Sequence, residues 1–296
     1  MIAAIGNPVY DAIKTPFVKT EKRVLSGCST NASIVCAQLT AESVLVGCIG
    51  EDLRTETEKI LSGFGVNFVL YPSKETGGFD LDYDRSGNRE LKILGKADPI
   101  KMIPQPIFSA DVILFGPILQ EIDPVLVELV SEGCESLLFC DPQGFLREPK
   151  NGTIIHVFPE FFKEILPLFD IVKPNEPEAY VMTGKYASEH PKDVMETLYS
   201  YGPDICIATL AEKGSLIYDG SEVIEIPAFT TGANDPTGAG DTYAAGFTIE
   251  YLRSKNLYES GVFASCTASL WVETIGPHIE ITEEKVRERV RILEQR

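Results

Sequence analysis

Asp235-Pro236-Thr237-Gly238-Ala239-Gly240-Asp241, running on into Thr242-Tyr243-Ala244-Ala245-Gly246-Phe247, is the stretch on which the reading of this chain turns. An Asp-Pro turn signal leads into two glycines, and an apolar run with helical spacing begins directly after them. Glycines ahead of a helix let the backbone approach a ligand closely. The free N–H groups of the first turn, with the helix dipole, form an anion site. Asp241 falls inside that turn. A carboxylate beside an anion cradle suits attack of a hydroxyl on phosphorus. The amides of Gly238, Ala239, Gly240 and Asp241 would stabilise charge on the transferring group, and Asp241 would take the hydroxyl proton. The plain structural alternative is a Gly-rich loop ending in an acid that favours a helix N-terminus. The same dipole would lower the pKa of Asp241, so a base here depends on the carboxylate being aimed at the hydroxyl.

Outward from this stretch the chain alternates strands and helices. Ile2–Gly6, Ser43–Ile49, Val112–Phe115, Leu137–Cys140 and Ile205–Thr209 are continuous apolar runs, the pattern of strands buried on both faces. Helical spacing covers 32–40, the stretch after Gly50-Glu51-Asp52, 124–132, 159–168, 176–182, 192–201, 239–253, 258–273 and 283–294. The prediction is an α/β fold: a Rossmann-like, mostly parallel sheet with helices on both faces and ligands at the carboxyl ends of the strands. Residues 9–13, 17–25 and 76–94 alternate apolar and polar instead, with a turn at Arg85-Ser86-Gly87-Asn88. They predict a small β-sheet lid, built from about 8–25 and 72–97, on a single domain of 1–296.

Composition narrows the function. The 296 residues, 44% hydrophobic and 24% charged, suffice for a sizeable core. A net charge of −18 argues against nucleic acid or an anionic membrane as main partner. The seven cysteines (28, 36, 48, 134, 140, 206 and 266) include no C-x-x-C and sit mostly in apolar runs, as reduced core thiols do. His156, His190 and His278 have no metal spacing. The opening Met1–Gly6 run is too short for a signal's apolar segment, and no run reaches membrane length. The expectation is a cytoplasmic protein.

Three further constellations carry chemistry. Lys173-Pro174-Asn175-Glu176-Pro177-Glu178 follows a strand and opens a helix. Asn175 and Glu178 read as a capping box, and also as oxygen ligands organising a hydrated Mg²⁺ on a triphosphate. Thr209-Leu210-Ala211-Glu212-Lys213-Gly214 joins a strand to a hairpin, as a turn or a nucleotide-binding segment. Ser26-Gly27-Cys28-Ser29-Thr30-Asn31 is a small-residue turn opening a helix.

Together these motifs resemble, in order, those of the PfkB (ribokinase-like) carbohydrate kinase family, across residues 5 to about 276. Asp235–Asp241 resembles its C-terminal signature and Asn175 to Glu178 its N-x-x-E. Thr209 to Gly214 resembles Thr-x-Gly-x-x-Gly, with Ala211 where Gly is usual. Residues 26–31 resemble Gly-Gly-x-x-x-Asn, with Ser26 for the first Gly, and Gly47, Gly50 and Asp52 fit V-G-x-x-G-x-D. The resemblance implies ATP and Mg²⁺, and transfer of the γ-phosphoryl to an alcohol with Asp241 as base. It implies acceptor binding by Asp11, Gly27 and Asn31, donor binding by Asn175, Glu178, Thr209, Glu212 and Gly214, and a monovalent cation such as K⁺ at Asp235. It also implies a homodimer paired through the lid. Cys28 stands where phosphosugar kinases often place Lys, which favours an unphosphorylated sugar. A nucleoside acceptor is the alternative, with Phe17, Phe79 and Tyr83 as a wall for its base. A catalytically silent ligand-binding or regulatory relative is a third reading. A nucleotide-cofactor dehydrogenase is disfavoured, because no G-x-G-x-x-G follows the first strand.

Overall fold

The computed structural model describes residues 1–15, 19–39, 42–83 and 89–295. Phe17 and the expected turn at 85–88 lie outside them.

Among the described residues, nine strands form the main sheet. Their order is Ile224–Ile226, Ser215–Tyr218, Ile205–Thr209, Ile171–Val172, Leu137–Cys140, Val112–Phe115, Ile2–Ile5, Ser43–Gly50 and Asn67–Ser73. All neighbours are parallel except at the Ser215–Tyr218 and Ile224–Ile226 edge. Side chains alternate across the sheet, so Ile2 and Ala4 enter one core layer and Ala3 and Ile5 the other. Helices Cys28–Leu39, Ala239–Ser254 and Leu257–Trp271 cover the first face, and Pro124–Gly133 and Pro191–Ser200 the second. With apolar partners above and below, the strands need no polar side, hence their continuous apolar runs.

The chain starts at Ile2–Ile5, builds outward to Asn67–Ser73, and returns to Val112–Phe115 on the other side of the first strand. That reversal opens a crevice at the carboxyl ends of these two strands. It is tight. A Cβ on Gly6 would stand 2.3 Å from the Gly116 carbonyl oxygen. Ser29, in the first turn of Cys28–Leu39, donates to that same oxygen at 3.2 Å.

A second, six-stranded sheet has the order Arg147–Lys150, Thr153–His156, Arg89–Gly95, Gly78–Tyr83, Val9–Lys14, Val24–Ser26. Two of its segments differ from expectation. The strand expected over 17–25 is only Val24–Ser26 among the described residues, because Glu21, Lys22 and Arg23 turn outward to water. The hairpin Arg147–Lys150/Thr153–His156, which the sequence reading left unassigned, joins the sheet through Thr153 and Lys92. Its turn is Asn151-Gly152, both at positive φ (51° and 79°), which is the favoured chemistry for a two-residue hairpin turn. No helix among the described residues is long and apolar enough to cross a membrane.

Candidate active site

Gly238 caps the Ala239–Ser254 helix in the left-handed region, at φ 84°, where glycine alone is unstrained. A Cβ there would also collide with the Trp271 indole nitrogen (2.7 Å) and the Asn31 amide nitrogen (2.8 Å). The helix starts with no side-chain cap, which leaves first-turn amides open to an anion. Ala239 N–H is the exception, donating to Pro236 O at 3.2 Å.

Asp241 sits in that turn, and Asn31 Nδ2 donates to its Oδ2 at 2.8 Å. Asn31 comes from the Cys28–Leu39 helix, so the fold joins two sequence-predicted residues 210 positions apart. The Asn31 Oδ1 is buried with no hydrogen-bond partner among the described residues. Cys28 also reaches this point: its Sγ and carboxylate oxygens of Asp141 and Asp241 lie within 4.8 Å of one another. Gly27 (φ 117°) lets the chain enter that helix, and its carbonyl accepts from Asn31 N at 2.8 Å.

The expected lowering of the Asp241 pKa by the helix dipole is overturned. Burial pushes it above the ordinary carboxylate range, and the neighbouring Asp141 charge pushes it further. The Asn31 hydrogen bond, Lys173 and Cys28 pull the other way without prevailing. Asp241 is half-buried by its accessible surface, and the loss of hydration around its carboxylate sets the direction.

Sequence reasoning missed Asp141 and the role of Lys173. They form an ion pair at 2.8 Å, and Lys173 is only 2% exposed. Each follows a neighbouring strand of the main sheet, and Lys173 N–H donates to Cys140 O, the carbonyl just before Asp141. Burial works against the Lys173 charge, but Asp141, Cys28 and Glu178 together more than offset it and the net pKa is raised, so the ammonium persists. A Cβ on Gly240 would be 3.3 Å from its Nζ, which places this cation at the helix N-terminus. The signal was a Lys and an Asp each ending an apolar strand, which is where an open α/β sheet binds ligands.

Asn175 and Glu178 form a complete capping box, each accepting from the other's backbone N–H at 2.9 Å. Glu178 is 3% exposed, and burial, then Asp141, raises its pKa. One Glu178 oxygen, Oε2, and the Asn175 Oδ1 are engaged in the box. The pair therefore suits a cation held through water rather than by direct ligation. Thr209 pairs with Asn175, its N–H donating to Pro174 O at 3.1 Å, so the two expected donor-binding segments are adjacent. Glu212 is exposed on the turn Ala211–Lys213, and Gly214 closes that turn at φ 98°. Asp11 is buried in the second sheet, where its Oδ1 accepts from Phe79 N at 2.8 Å. Asp235 is buried and its Oδ1 accepts from Thr237 N at 2.9 Å. Its Oδ2 has no well-formed hydrogen bond among the described residues, and burial raises its pKa. A buried carboxylate oxygen left over in this way fits a bound cation.

The pfkB family carbohydrate kinase model matches residues 2–284. The chain is similar to a nucleoside kinase of Methanocaldococcus jannaschii, 26% identical over 283 residues that span 92% of this chain and 87% of the relative. It is similar at 26% identity over 288 residues to inositol 3-kinase of Arabidopsis thaliana, spanning 93% of this chain and 74% of the relative. Among solved structures it shares the fold of a pyrophosphate-dependent kinase in the ribokinase family, determined as a sulfate complex. The TM-score is 0.84 at 22% identity, over 97% of this chain and 99% of that one.

Proposed function

The chain belongs to the pfkB family of carbohydrate kinases, and on that premise we propose that it transfers the γ-phosphoryl of ATP to a hydroxyl of a small unphosphorylated sugar. The carrying observation is the Asp241 carboxylate, held by Asn31 at 2.8 Å in the first turn of a helix opened by left-handed Gly238. Base and anion site thus occupy one helical turn. As the acceptor oxygen bonds to phosphorus, Asp241 takes the hydroxyl proton and the bond to the ADP oxygen breaks. Amides of Gly238, Gly240 and Asp241 stabilise the transferring group, with Ala239 N–H already engaged by Pro236. Lys173 adds a fixed positive charge beside them. Asn175 and Glu178 would hold a hydrated Mg²⁺, whose chemistry is to shield the triphosphate charge. Thr209, Glu212 and Gly214 border the nucleotide, and Asp235 offers an oxygen to K⁺.

The second sheet acts as the lid, excluding water that would compete as acceptor. Asp11, Gly27 and Asn31 orient the acceptor. Cys28, an uncharged buried thiol, offers no cation there for an acceptor that already carries a phosphate. Pairing of two lids into a homodimer belongs to the same reading, and a monomer by light scattering would remove it. A nucleoside acceptor is the second reading, supported by the 26% identity to a nucleoside kinase over 92% of the chain.

The test is product formation across pentoses, hexoses, inositols and nucleosides, with ATP·Mg²⁺ and, separately, pyrophosphate as donor. Asp241→Asn runs beside the wild type. Turnover with one acceptor, reduced roughly a hundredfold or more in the variant, is expected. Equal turnover in both proteins would sink the role of Asp241.

A further inference from the structure

Tyr83 ends the lid strand Gly78–Tyr83, with its side chain buried at 7% exposure. Its hydroxyl lies 3.0 Å from Thr237 Oγ1, a partner 154 residues away. Thr237 is the residue before Gly238, and each of its polar groups is engaged. Its N–H donates to Asp235 Oδ1 at 2.9 Å, and its carbonyl accepts from Trp271 Nε1 at 2.9 Å. Those two bonds come from the body of the molecule, and the Tyr83 bond comes from the lid. A second lid residue, Thr15, donates to Asn234 O at 3.4 Å on the same loop. Immediately downstream, Gly238 is wedged between the Trp271 indole and the Asn31 amide. A shift of Thr237 therefore moves Gly238 and the amides that follow it.

We propose that Tyr83 is a positioning residue for phosphoryl transfer: its bond to Thr237 sets the loop that opens the Ala239–Ser254 helix, so the anion hole reaches its working geometry only with the lid down. The proposal rests on the reading of this loop as the anion hole. Its physical sense is selectivity against water. Amides aligned before closure would serve hydrolysis of the donor, whereas alignment coupled to closure reserves catalysis for an enclosed acceptor. The coupling is reciprocal, so whatever orders the loop also favours the closed lid.

Tyr83→Phe keeps the ring and removes only the hydroxyl. Thr237→Val removes the partner, and Thr237→Ser restores it. Amide hydrogen exchange of the full-length chain needs no substrate. Tyr83→Phe is expected to speed exchange across residues 237–241, and Thr237→Val to speed it across 78–83. The melting temperature of Tyr83→Phe should stay within about 2 °C of wild type. Faster exchange confined to the substituted side in both variants would overturn the coupling. With an acceptor in hand, kcat should fall about tenfold in either variant, the rate equivalent of one hydrogen bond. The double variant should fall no further, Thr237→Ser should recover the rate, and the acceptor KM should stay within about twofold. A raised acceptor KM with kcat intact would make Tyr83 a wall of the acceptor pocket and overturn the proposal, as would unchanged kinetics. A wild-type chain that phosphorylates nothing counts against the kinase reading, while the exchange result still decides the coupling.

Discussion

Asp241 is both wanted as an anion and disfavoured as one. Burial and Asp141 raise its pKa, and Asn31, Lys173 and Cys28 restrain the rise. With Asp241 as the proposed base the rate would need the ionised form, so the acid limb of kcat/KM should lie above the ordinary Asp range of about 3.9. Asp141→Asn removes a repelling charge and should move that limb to lower pH. Lys173→Met removes an attracting one and should move it higher, with kcat down roughly a hundredfold. Limbs that stay fixed in a pH–rate series would show that these charges do not reach the base. Stability carries the opposite sign. A raised carboxyl pKa means the native state binds the proton more tightly than the unfolded chain. Stability is then greatest below the unfolded pKa and declines as pH rises to the native one, leaving the penalty in full above it. Asp241→Asn should therefore melt about 2 °C higher at pH 7 while losing activity. Calorimetry checks the rise, and a lower melting temperature would contradict it. The place of Asp241 in the first turn of its helix was legible because that turn is local in sequence. Its charge environment was not, because Asp141 and Lys173 meet only through neighbouring strands.

The helix that opens at Asn175 was read as a capping box and is one, since both bonds lie within four residues. Asn175→Ala should cost about 1 kcal/mol of stability, the usual loss of an N-cap side chain. Glu178→Gln keeps a reciprocal oxygen and should cost less. If Glu178 also organises Mg²⁺ through water, Glu178→Gln should raise the KM for ATP·Mg²⁺ several-fold at saturating acceptor, whereas an unchanged KM leaves the residue purely a cap. Strand reading succeeded where both faces are buried, as at Ser43–Gly50, because an unbroken apolar run has few other readings. It failed over 20–23, where the alternation predicts a strand although Glu21, Lys22 and Arg23 are charged and exposed. It also passed over Asn151-Gly152, a strong local turn signal whose flanking strands are mostly polar and exposed. The sheet was therefore legible as segments, and its third contributor, Arg147–His156, was not.

Across the whole molecule, the proposed reaction sets an acidic chain against an anionic donor. The strand order and the crevice beside Ile2–Ile5 were legible only as a class of fold, since pairing is a long-range choice that no local pattern records. Net charge needs no such knowledge, and it makes a prediction of its own. At −18 the protein repels a polyphosphate over distance, while Lys173 and the first-turn amides attract it at contact. Salt screens the first effect far more than the second, because the Debye length falls from about 30 Å at 10 mM to about 8 Å at 150 mM, whereas buried charges are screened little. The KM for ATP·Mg²⁺ should therefore fall as ionic strength rises over that range, with kcat unchanged. Choline chloride is the salt to use, so that a cation site at Asp235 is not filled at the same time. A KM that rises instead would mean that local positive potential governs the approach of the donor, and the repulsion argument would fail. Replacing choline by K⁺ at constant ionic strength then isolates Asp235. Its buried Oδ2 should gain a ligand, and activation lost in Asp235→Asn would tie the cation to the loop that opens the Ala239–Ser254 helix.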